Sequence, residues 1–171
     1  MNKKRISKII LGTSNYENAK SGNTVSISGD GGNTRGYYGH AYKKLAPKFS
    51  NYSKYNESYI QLLKIKTIKE KLEEYKTMRK QIEDEYIRTY YNERLKNLNV
   101  EELLETLYTK FNDNIILLCY EKIDEFCHRR LIADYIEIKT GVYIPEVSID
   151  KEGNVKQLTP IRYTDRLKNL M

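Results

Sequence analysis

Residues Asn114-Ile115-Ile116-Leu117-Leu118-Cys119-Tyr120-Glu121 decide how this chain is read. The stretch is apolar at consecutive positions, not alternate ones, and then turns polar. Such a run suits a strand buried on both faces, as in a parallel sheet. The polar residues that follow it would stand at the carboxyl end of the strand, where open α/β sheets bind ligands.

Working outward from this strand, Cys127-His128-Arg129-Arg130 opens a helical pattern. Leu131, Ile132, Tyr135 and Ile136 form its apolar face, and Gly141 suits the position just past its end. Val142-Tyr143-Ile144, before Pro145, reads as a last strand, and residues 150–171 read as a polar, basic tail at the periphery. On the amino-terminal side, Asn99 before Val100-Glu101-Glu102 is a candidate helix cap with acidic residues in the first turn. Residues 57–96 carry apolar groups at helical spacing: Ile65, Ile68, Leu72, Tyr75, Ile82, Tyr86 and Tyr90. That pattern is long for a globular helix, so it reads as one long helix, a helical hairpin, or a coiled coil with a protein partner or a second copy. Two further strands are expected at residues 6–11 and 24–28, each ending in a Gly- or Asn-containing loop.

Strands alternating with helices give an α/β class: a small, open, mostly parallel sheet flanked by helices, with a long charged helix or helical hairpin inserted. The 171 residues fit a single domain, here 1–149, followed by the tail. No run is apolar over the length a membrane span needs, so no membrane is expected. Two cysteines do not make a disulfide scaffold, and the expected compartment is the cytoplasm. The net charge of +7 favours anionic partners such as nucleotides or nucleic acid, although charge spread along the chain equally describes a solvated surface.

If the three strands are adjacent and parallel, Thr13, Ser14, Asn15, Ser26, Ser28 and Cys119 line one crevice, with Glu121 at its edge and Arg129 at the start of the next helix. Arg129 would hold a phosphate in bidentate fashion. Glu121 would take a ribose hydroxyl or a proton, and Cys127 or His128 would take part in chemistry. Each residue also has an ordinary reading. Cys119 would be a core filler, His128 a capping residue, and Glu121 and Arg129 a salt bridge. No metal is expected, because neighbouring residues on a helix point about 100° apart, and this suits Cys127 and His128 poorly as ligands of one ion. No phosphate loop, nucleophile elbow or His-Glu-x-x-His is present, so no cofactor is expected either.

Ile116–Glu121 followed by Phe126-Cys127-His128-Arg129-Arg130-Leu131-Ile132-Ala133 resembles the signature of the family known as domain of unknown function 488. Thr13-Ser14-Asn15-Tyr16, Val25-Ser26-Ile27-Ser28 and Leu45-Ala46-Pro47-Lys48 resemble its shorter members. The resemblance implies an α/β domain, makes residues 57–79 a helical insertion, and brings no mechanism with it.

Two function classes follow. One is an enzyme or binding protein directed at a nucleotide or nucleic-acid base, with its crevice around Glu121 and Cys127-His128-Arg129. The other is a non-catalytic accessory or inhibitor protein of a phage or mobile element, which binds a protein or nucleic-acid partner through its basic surface and inserted helix.

Overall fold

The computed structural model describes residues 1–171. Its centre is a six-stranded sheet. In chain order the strands are β1 (Ile10–Asn15), β2 (Asn23–Ser26), β3 (His40–Ala41), β4 (Ile115–Cys119), β5 (Glu146–Ile149) and β6 (Val155–Leu158). Their order across the sheet is β3-β2-β4-β1-β5-β6, parallel except for the antiparallel β5–β6 pair. The helices are α1 (Lys3–Ile9), α2 (Phe49–Lys66), α3 (Leu72–Tyr90), α4 (Val100–Phe111), α5 (His128–Thr140) and α6 (Thr164–Lys168). The α/β class and the mostly parallel sheet are as the sequence implied.

The apolar run 115–119 is β4, with every residue buried. Its alternate side chains enter two unequal layers. Ile115 and Leu117 join the main core, which also holds residues of α3, α4, α5 and α6. Ile116 and Leu118 join a small cluster with Val147 and Ile149, packed by Leu11 of β1 and by Tyr16, Ala19 and Tyr37 from loops. Cys119 shares the parity of Ile115 and Leu117, so it belongs to the helical side of the sheet.

Three sequence expectations are corrected. Residues 6–9 are not strand. The Asn2 side chain accepts from the Arg5 N–H and caps α1, and Ile6 and Ile9, three apart, bury on one helix face. β1 therefore starts later, and Thr13, Ser14 and Asn15 lie within it instead of beyond its exit. Gly12 is required there, since a side chain would meet the Pro145 carbonyl at 2.8 Å. The last strand is not Val142–Ile144. The Pro145 carbonyl accepts from the Thr13 N–H, and pairing runs from Glu146 onward. Finally, the tail is not peripheral. It supplies β6 and α6, buries Tyr163 and Leu167, and ties α6 to α3 through Arg166, which donates to Glu83 and Asp84.

The long helical pattern resolves as a hairpin, α2 and α3, which starts at Phe49, earlier than the pattern suggested. A 3-10 turn at Lys69–Lys71 breaks it, and within α3 Arg79 pairs with Glu83 four residues on. A π turn at Tyr91–Leu95 ends α3. The caps expected from Asn99 and Gly141 are present. No helix is long and apolar enough to cross a membrane.

Because Leu167 is fully buried against the main core, Leu167→Ala is expected to cost about 2–5 kcal/mol in a denaturant titration. A loss below about 0.5 kcal/mol, the size of an ordinary surface substitution, would show that α6 adds little to the core.

Candidate functional site

A cleft of about 1130 Å³ opens between the carboxyl edge of the sheet and the α2–α3 hairpin. Its floor comes from the ends of β2 and β4 and the start of α5: Ser28, Cys119, Glu121, Cys127 and His128. The opposite wall is the hairpin, which presents Tyr55, Tyr59 and Tyr75. At the rim stand Lys43, Lys48 and Lys66, all exposed and without an ion pair, beside the largely exposed ring of Phe49.

Topology brings the floor together. β4 lies beside β2, and Ile27 continues the pairing by donating its N–H to the Leu118 carbonyl. Cys127 caps α5 in an extended conformation, with φ −151° and ψ 139°. The expectation that Cys127 and His128 diverge assumed two helical residues. Because Cys127 is not helical, its thiol and the His128 ring converge, and with Cys119 they offer three ligand atoms within 4.8 Å of one another. The His128 ring lies 3.8 Å from Cys119 Sγ at Nδ1 and 3.0 Å from the Ile27 carbonyl at Nε2.

The Cys127 thiol donates to Glu121 Oε2 at 2.8 Å. Burial pushes the Glu121 carboxyl up to about 7, and the charge on Cys127 adds to this. Although the side chain is 32% exposed, that exposure is to the enclosed cleft. Burial works against ionising Cys127, but hydrogen bonding to Cys119 and the charges of Arg129 and His128 outweigh it and bring the thiol well below its usual value. Burial holds Cys119 well above that value, so Cys119 stays a thiol. Burial disfavours the His128 cation, but its contacts with Cys127 outweigh that and raise it.

Apart from Ser28, the other residues singled out from sequence do not face the cleft. Arg129 is 1% exposed and points into the protein. Its guanidinium donates to Glu146 from Nε and Nη2, at 3.0 Å for Nη2, and to the backbone carbonyls of Glu121 and Lys122. Four of its five N–H donors are engaged by Glu146 and the loop after β4, and the side chain does not border the cleft. The salt bridge considered for Glu121 and Arg129 is present but long, at 4.0 Å, and the closer partner of Arg129 is Glu146 at 3.0 Å. Thr13 donates to Glu146 at 2.5 Å and accepts from Arg130 at 2.7 Å. Ser14 donates to the Val147 carbonyl, and the Asn15 side-chain oxygen Oδ1 accepts from the N–H groups of Glu17 and Asn18. Ser26 and Ser28 meet the Tyr16 hydroxyl at 2.7 and 2.9 Å, and of the two only Ser28 reaches the cleft. Arg35 pairs with Glu17 outside it.

Sequence reading missed the hairpin wall and Asp30. Tyr55/Tyr59 and Tyr75/Arg79 are each four apart, a spacing that puts both members of a pair on one helix face. Asp30 accepts from the Tyr120 hydroxyl, the Ser28 and Thr34 hydroxyls, and the Gly32 and Thr34 N–H groups. It thereby ties the Gly-rich loop to the residue after β4.

A protein-family model described as Domain of unknown function DUF488 matches residues 35–136, more than half of the chain. The chain belongs to this family. The match takes in the hairpin, β4, Glu121 and Cys127-His128-Arg129, and leaves β1, β2 and the carboxyl-terminal elements outside. No curated protein and no solved structure matches the chain.

Burial opposes ionisation of Asp30, but its hydrogen bonds outweigh it and hold the carboxyl well below the ordinary value of 3.8. The stability this gives is present above that value and disappears as pH falls through the depressed one. Asp30→Asn is therefore expected to lower the denaturation midpoint at neutral pH, by an amount that shrinks below about pH 4. A variant as stable as the parent at neutral pH, or a gap that stays constant into acid, would contradict this.

Proposed function

We propose that the protein binds a nucleotide or a nucleic-acid base in the cleft and acts on it with the groups at the floor. The observation that carries this reading is the placing of three kinds of group in one cleft. Unpaired lysines stand at the rim, aromatic rings on the wall, and a carboxyl with thiol and imidazole neighbours at the bottom. Lysines neutralise phosphates, aromatic faces stack on bases of any sequence, and a partly exposed carboxyl accepts from ribose hydroxyls or base N–H groups. The phosphate role given to Arg129 from the sequence passes to Lys43, Lys48 and Lys66.

Titration of the protein with nucleosides, nucleotides and single-stranded oligonucleotides tests this directly. Lys48→Ala/Lys66→Ala is expected to weaken binding of the best oligonucleotide at least tenfold and to lower the slope of log K against log salt by up to about 1.4. Glu121→Gln is expected to weaken binding of the best ligand, because the amide replaces one acceptor oxygen with a donor. A parent protein that binds none of these compounds, or a double variant that binds like the parent, would remove the reading.

One observation favours the non-catalytic alternative. Ile60, Leu63, Ile68 and Leu72 are exposed around the far end of the hairpin, where apolar side chains would serve a protein partner or a second copy. Leu63→Ser/Ile68→Ser is expected to abolish self-association in sedimentation velocity if that face pairs copies of the chain. A parent that is monomeric at all concentrations excludes the self-pairing form.

A further inference from the structure

We propose that Cys119, Cys127 and His128 form a binding site for a thiophilic divalent cation, Zn2+ in the first instance, at the floor of the cleft. Three observations place it there. The first is convergence: one ligand atom from each residue lies within 4.8 Å of the other two. In a tetrahedral zinc site, bonds of about 2.3 Å to sulfur and 2.0–2.1 Å to nitrogen set sulfur and nitrogen about 3.5 Å apart. Cys119 Sγ and His128 Nδ1 stand at 3.8 Å, close to that spacing, and reorientation of the imidazole and thiol side chains closes the set around an ion.

The second is the orientation of the imidazole. The Ile27 carbonyl can only accept, so His128 Nε2, 3.0 Å away, carries the ring proton. That leaves Nδ1 as the ring nitrogen free to bind an ion, 3.8 Å from Cys119 Sγ, with Nε2 at 4.0 Å from the same sulfur. A metal-bound histidine is fixed in this way, with its other ring nitrogen donating to a backbone carbonyl. The Tyr90 ring packs against the imidazole, with centroids 5.7 Å apart, and holds it in place.

The third is the surroundings. Binding of the ion displaces the Cys119 proton to solvent, the two resulting thiolates neutralise the divalent charge, and the nearby cation Arg129 is already matched by Glu146, so the charges in the pocket balance. Cys119, Cys127 and His128 all border the cleft, as does Glu121, whose Oε2 lies 2.8 Å from Cys127 Sγ. The fourth coordination position therefore opens toward the cleft beside a carboxyl, an arrangement that sets catalytic zinc sites apart from closed structural ones. Any part this ion plays in a reaction rests on the nucleotide-directed reading. Its binding does not, and is measured without a nucleotide.

The experiment uses the whole chain and Zn2+ alone. Protein dialysed against Zn2+ and then against metal-free buffer is expected to retain about one ion per chain by elemental analysis, as a single three-ligand site would. Zn2+ is expected to slow iodoacetamide labelling of both cysteines at least tenfold relative to EDTA-treated protein. Replacement by Co2+ is expected to give sulfur-to-cobalt charge-transfer absorption in the near ultraviolet. Cys119→Ala and His128→Gln are expected to lose the retained metal while circular dichroism stays that of the parent. The wild-type measurements decide the matter even if a variant fails to fold. Retention of less than about 0.1 ion per chain, equal labelling of both thiols with and without Zn2+, or an intact mass showing a Cys119–Cys127 disulfide in freshly reduced protein would each overturn the site. Zn2+ binding with no nucleotide binding would sink only the proposed function, and the reverse result only the metal site.

Discussion

The buried Arg129–Glu146 pair is the interaction on which the rest of the arrangement depends. Both side chains are about 1% exposed, so neither charge has water to fall back on. Removing one partner from such a pair typically costs about 3–5 kcal/mol, because the other charge is left buried and alone. Here the cost is met by filling the coordination of both partners. Arg129 also donates to two carbonyls of the loop after β4, and Glu146 accepts from Thr13 as well. Arg130, one residue on, donates to Thr13, the Ile144 carbonyl and Asp134. The network joins β1, β5, α5 and the Glu121–Lys122 loop into one unit, and the cleft floor is the part of that unit that faces outward.

The hairpin has a complementary role. It packs its aromatic face on Phe126, with Tyr55 and Tyr86 centroids 5.2 and 5.0 Å from that ring, and so converts a shallow sheet edge into a walled cleft. Its base is held by Arg94, which donates to the Ala46 carbonyl, and by α6 through Arg166. The last elements of the chain thus support a wall built from its middle. Four of the cleft's groups with distinct chemistry, Cys119, Glu121, Cys127 and His128, fall within ten residues of sequence, but the surface they face comes from residues 49–79.

Much of the floor could be read from the chain. Ile115–Cys119 had to be a buried strand because it is apolar at every position, and polar Tyr120-Glu121 had to follow at its carboxyl end. Gly141 and Asn99 marked helix ends because their backbone and side-chain chemistry fits no other place as well. The hairpin was among the readings of the helical pattern, but the sequence could not choose it over one long helix, since the periodicity is nearly continuous through the 3-10 turn at Lys69–Lys71.

What the sequence determined by itself was therefore local: the central strand, the amphipathic helices, their caps, and the nearness of Glu121 to Cys127-His128-Arg129. What only the tertiary structure decided was direction. Arg129 carries the same charge whether it faces a ligand or Glu146, and only the position of β5 next to β1 turns it inward. Cys127 and His128 are neighbours in any conformation, and the extended backbone at Cys127 brings their side chains together. Side-chain direction at a strand end or helix cap depends on which elements pack beside it, and those contacts join residues more than a hundred positions apart, as Ile27 and His128 are.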